Sequence, residues 1–138
     1  MIYATLADMI LKFGERELVE LTDDAGAGVI GQASVQSALD TANSEIDAAI
    51  AARHKLPLVS VPEFLRTMAL NIARHALYRS TPPDGVQKNY DSAQLKLSQI
   101  ASGRRRLDQG VETEASRPGA VLVTDPGRIF SRQTLDGF

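Results

Sequence analysis

Residues 34–53, SVQSALDTANSEIDAAIAAR, decide the fold class. Apolar side chains fall at Val35, Ala38, Leu39, Ala42, Ile46, Ala49 and Ile50. Spacings of three and four put them on one side of a helix, and a stripe of that kind needs a partner. Asp40, Asn43, Ser44 and Asp47 fall mainly on the other side. The alanines within residues 48–52 thin the last turns enough for another helix to approach closely. The reading is a central packing helix that carries no chemistry of its own.

Two further stripes match it. After Pro57 breaks the chain, Pro62 suits a helix start, and Phe64, Leu65, Met68, Ala69, Ile72, Ala76 and Leu77 form a broad apolar face. After the turn Thr81-Pro82-Pro83-Asp84-Gly85, residues Val86, Tyr90, Ala93, Leu97 and Ile100 alternate in the same way, and Gly103 stands where a C-cap is wanted. Upstream, Thr5 and Asp8 make a weak capping box for a short helix carrying Leu6, Met9, Ile10 and Phe13, which Gly14 ends. Residues 15–21 add one or two turns with Leu18 and Leu21 inward. The expectation is an all-α bundle of about four helices over residues 1–103. Its core should include Leu39, Ile46, Leu65, Met68, Ile72, Leu77, Leu97 and Ile100.

From residue 104 the character changes. Three arginines at 104–106 lead into a segment punctuated by Gly110, Pro118, Gly119, Pro126, Gly127 and Gly137, whose one apolar run is Val121-Leu122-Val123. So few large apolar groups cannot offset roughly 1–2 kcal/mol of backbone entropy per residue. Residues 104–138 therefore read as an extended C-terminal docking arm, ordered only against another surface. Residues 121–123 suit an added edge strand. Arg128, Phe130, Ser131, Arg132, Leu135 and Phe138 have the composition of a partner-binding peptide.

A chain of 138 residues with 43% hydrophobic content suits one modest domain. Aromatics are only 5% and Trp is absent, so Leu, Ile, Val and Ala must build the core. A net charge of −2 argues against strong global attraction to nucleic acid or an anionic membrane. Zero cysteines remove disulfides, thiolate metal sites and cysteine nucleophiles. The start, MIYATLADMI, lacks a basic export signal, and no apolar run reaches the roughly 18–20 residues a membrane helix needs, so the expected protein is soluble and unexported.

The candidate sites weaken on inspection. Gly26, Gly28 and Gly31 have GxGxxG spacing, but a helical turn precedes them where a dinucleotide fold requires a strand, so a flexible connector is expected. Asp23 and Asp24 miss the spacing of a calcium loop, and with Asp40 and Asp47 they read as solvated acids. His54 and His75 lack partners at ligand spacing, and His75 reads as a partly buried packing residue. No catalytic residue, metal site or cofactor is expected, and the protein reads as a non-enzyme. Arginines 104–106 are expected to neutralise the preceding helix end or an acidic neighbour. A face carrying Arg66, Arg74 and Arg79, or the 104–106 run, supports the alternative of a small helical DNA-binding protein.

Several stretches together resemble the Mu-type bacteriophage and prophage head–tail connector proteins, also called neck or head-completion proteins. They are MIYATLADMILKFGERELVELTD, SALDTANSEIDAAIAARHKLPL with VPEFLRTMALNIARHALYR, KNYDSAQLKLSQIASGR, and the terminal RIFSRQTLDGF. The resemblance implies a structural virion subunit, assembled in the bacterial cytoplasm. It would form a ring of about twelve copies beneath the portal, extend the DNA channel without reading sequence, and present a surface to the next neck or tail-completion protein. It implies no membrane partner.

Overall fold

A computed structural model describes residues 1–107, which form five α-helices and no strand. They are α1 (Leu6–Phe13), α2 (Glu15–Thr22), α3 (Gln32–Ala51), α4 (Glu63–Leu77) and α5 (Asp84–Ala101). The all-α bundle is as expected, with the short pair α1 and α2 counted separately. What was expected of residues 108–138 lies outside the described residues: the strand at 121–123 and the binding peptide Arg128, Phe130, Ser131, Arg132, Leu135 and Phe138.

Local chemistry sets the helix ends. Thr5 caps α1 with a complete capping box: its hydroxyl accepts from the Asp8 N–H, and the Asp8 carboxylate accepts from the Thr5 N–H at 2.9 Å. Gly14 sits at φ +87°, a conformation only glycine adopts cheaply, and it turns the chain directly from α1 into α2. α5 begins at Asp84, two residues earlier than the stripe indicates: Pro83 stands at the N-cap position with its carbonyl accepting the Gln87 N–H at 3.0 Å, and the acidic Asp84 suits the helix N-terminus.

α3, α4 and α5 pack against one another, α3 against α4 most extensively. All eight core residues expected from the stripes are buried, joined by Val35, Ala42, Ile50, Ala69, Ala73 and Ala93. Ala76 is exposed, on the outer edge of the α4 stripe rather than within it. The N-terminal segment adds Tyr3, Ala4, Met9 and Leu18 to the same core, and Leu107, beyond the helical body as read from sequence, is only 3% exposed within it.

One reading on α3 is corrected, and the helix ends gain an unexpected contact. Asn43, read as solvent-facing, is 9% exposed, because the chain before α1 lies across this part of α3. Its Oδ1 accepts the Tyr3 N–H at 3.1 Å. At the end of α5, open carbonyls are met by Arg53 from the end of α3, and the Arg105 backbone N–H donates to Gln99 O at 3.0 Å. Arg53 donates to Ala101 O at 3.2 Å and Ser102 O at 2.9 Å. Gly103, at φ +77°, leaves room for that guanidinium, which any Cβ there would strike.

Candidate partner-binding surface

Polar clasps fasten the N-terminal segment to the body. Asp47, read as a solvated acid, accepts from the Met1 ammonium at 2.7 Å and the Tyr3 hydroxyl at 2.6 Å. Burial raises the Tyr3 hydroxyl pKa far above its ordinary value, and the adjoining Asp47 carboxylate raises it further. Glu17 on α2 receives both Nε and Nη2 of Arg74 from α4, at 3.0 and 2.5 Å, and the Tyr78 hydroxyl at 3.3 Å. Burial and then Glu17 raise the Tyr78 pKa, opposed by Arg74. The Arg74 guanidinium also lies 4.6 Å from the centre of the Phe13 ring.

The glycine loop is not a slack connector. The Asp23 carboxylate accepts the backbone N–H of Ala27 at 2.9 Å and of Gly28 at 2.7 Å, occupying the amides that an anion-binding reading would offer to a phosphate. Thr22 closes the loop by donating to Leu18 O at 2.6 Å while accepting the Gly31 N–H at 2.8 Å. A Cβ on Gly31 would meet Thr22 O at 2.5 Å, so the loop closes only on glycine. The loop serves its own architecture.

The remaining candidates are placed as follows. Asp40 accepts from Gln36 one turn earlier, as a solvated acid does. His54 continues the backbone turn at the end of α3, its N–H bonded to Ile50 O at 2.8 Å. His75 is half-buried, stacked on Tyr90 with ring centres 3.8 Å apart, with Gln87 at 3.1 Å from Nε2. Among the described residues no cluster of His, Asp and Glu could hold a metal ion, and no helix is long and apolar enough to cross a membrane. On the first of the two faces of the DNA-binding alternative, Arg66 pairs with Glu63, Arg74 with Glu17, and Arg79 with Asp24. Arg105 lies over the Phe64 ring at 5.2 Å. A face neutralised pair by pair has little to offer a phosphate backbone.

Two features face outward. An open groove of about 570 Å³ runs between α1, α4 and α5, walled by Lys12, Phe13, Phe64, Asn71, Arg74 and Lys96. Burial lowers the Lys12 pKa, Glu63 opposes this, and Arg74 adds to it. Separately, large apolar side chains stand exposed on different elements: Leu11 on α1 at 88%, Leu95 on α5 at 60%, and Val59 in the link before α4. Periodicity does not reveal these positions, because an isolated exposed leucine leaves no pattern.

Sequence comparison identifies the family of this helical body. The family model described as "Bacteriophage Mu, Gp36" matches residues 3–125. The chain belongs to this family. Among its relatives, the Mu-like prophage FluMu protein gp36 of Haemophilus influenzae is 30% identical over 139 residues, covering 99% of this chain and 98% of the relative. Gene product J of Escherichia phage Mu is 34% identical over 137 residues, covering 95% of each. The Mu Gp36 match takes in all five helices and runs beyond Leu107 to residue 125.

Proposed function

We propose that this Mu Gp36 family member is a non-enzymatic structural protein of the phage particle, specifically a head–tail connector subunit. In this reading it assembles as a ring beneath the portal, extends the DNA channel, and offers its arm to the next neck or tail-completion protein. The observation that carries the reading is the family match across residues 3–125, which gives a Mu-type phage protein and spans the whole helical body and the segment that follows it up to residue 125. The outward chemistry supports it. A closed ring needs a heterologous contact between two different faces of the subunit, and Leu11 and Leu95 put exposed apolar groups on two different helices.

Electron microscopy of the purified protein, alone at high concentration and with tail-less capsids, tests this. Rings, or added density at the portal vertex, are expected. Leu11→Asp or Leu95→Asp should weaken ring formation while leaving the helical circular dichroism unchanged. Protein that stays monomeric and leaves capsids undecorated would overturn the connector role.

A further inference from the structure

We propose that the acidic segment 108–115, DQGVETEA, folds back and docks in the groove between α1, α4 and α5 of its own chain. The groove is cationic and the segment is anionic. Lys12 and Lys96 on its walls form no ion pair among the described residues, and Arg74 adds a third cation, shared with Glu17. Asp108, Glu112 and Glu114 put three carboxylates within seven residues, and the next basic residue is Arg117. The walls also carry Phe13 and Phe64, a place for Val111, the one large apolar side chain of the segment.

The exit point of the chain favours docking in cis. Leu107 is buried in the core and the Arg105 guanidinium lies over Phe64, itself a wall of the groove, so residues 105–107 bring the described chain to one end of the site. Eight extended residues span about 26 Å at roughly 3.3 Å each. The groove follows α4 from Phe64 to Arg74, about 15 Å at roughly 1.5 Å per helical residue. Tethering without an intervening linker gives an effective concentration on the order of millimolar or above, so a contact of modest intrinsic affinity is occupied. The inference concerns residues 108–115 in the isolated full chain and stands or falls separately from any role of residues 128–138 in the particle.

The absence of cysteine makes the test clean, since Thr113→Cys gives a unique site for a nitroxide spin label on the full chain. With isotope-labelled protein in low salt, the amides of Asn71, Ser92 and Lys96 should broaden. The broadening should be lost near 1 M salt, where the screening length falls to about 3 Å. It should also be lost in Lys12→Glu/Lys96→Glu and in Glu112→Lys/Glu114→Lys, and return when the two reversals are combined. Four results overturn the proposal. These are sharp groove amides at low salt, broadening that survives either reversal, failure of the combined reversal to restore it, and broadening seen only between labelled and isotope-enriched chains in a mixture. The last would give the groove to a neighbouring copy.

Discussion

The three-helix body and the N-terminal segment share one core but are held to it by different physics. α3, α4 and α5 meet through matching apolar stripes, and each stripe is a local pattern. Residues 1–31 insert Tyr3, Met9 and Leu18 into that core, yet their position is specified by polar pairs reaching far along the chain: Tyr3 to Asn43 and Asp47, Glu17 to Arg74 and Tyr78, Asp24 to Arg79. Apolar burial is proportional to area and indifferent to direction, whereas hydrogen-bonded pairs demand one geometry. The body should therefore govern global stability, and the clasps should govern whether the N-terminal segment opens on its own.

The largest effect belongs to the body. Ile46 and Ile72 are fully buried at the meeting of the long helices, and truncation leaves a cavity that close-packed neighbours fill only in part. Ile46→Ala or Ile72→Ala should each cost about 2–4 kcal/mol in urea unfolding, with protection lost across all five helices together. Unchanged stability would mean that the stripes are not what joins the helices.

The next effect probes the clasps. Arg74→Ala removes two donors to Glu17 and the cation over Phe13, leaving a carboxylate with Tyr78 alone in a partly buried site. A loss of about 2 kcal/mol is expected, between the values for exposed and fully buried pairs. Hydrogen exchange should sharpen the comparison: amides of α1 and α2 should lose protection first, while those near Ile46 keep theirs. A uniform loss would place both regions in one cooperative unit.

Tyr3→Phe keeps the ring in the core and removes only the bond to Asp47, which retains the Met1 ammonium. A cost of about 1 kcal/mol is expected. The same hydroxyl gives a pH signature. Its folded pKa is raised, so the unfolded chain releases the proton first, and the stability it contributes is present below about pH 10 and lost as pH rises above it. Tyr78 acts in the same direction. Tyr3→Phe should therefore unfold with a shallower alkaline decline than the parent, and an identical decline would remove Tyr3 from the account.

This division also marks what can be read in the sequence. Stripes repeat within a few residues, so α3, α4 and α5 and all eight expected core positions are legible from apolar spacing alone, as is Thr5 at the start of α1. The clasps are not, because nothing within one helix says that Asn43 will face inward under Tyr3, or that Glu17 will meet Arg74 from 57 positions away. Arg53 is the same case: its target is the end of a helix 48 residues later, and only Gly103, a terminator by its position after the α5 stripe, hints at the crowding there. Of the candidate surface, the docking-peptide reading rests on composition and falls outside the described residues, whereas the groove exists only once three helices are placed.

The smallest effect tests the comparison from its weak side. Arg79 and Asp24 approach to 2.6 Å, as close as the core-edge pairs, but their side chains are 70% and 60% exposed. Water solvates both charges whether or not they touch, so the Coulombic gain is nearly cancelled by lost hydration and by the entropy of holding a long side chain still. The loop they adjoin is already closed by Asp23 and Thr22. Arg79→Ala should thus cost about 0.5 kcal/mol or less, a value that shrinks further in salt. The contrast with Arg74→Ala measures what burial and the added contacts of Arg74 contribute, since both pairs join the N-terminal segment to the region around the end of α4 with similar separations. Equal costs for the two would mean that sequence separation, rather than exposure, decides the strength of a clasp in this fold.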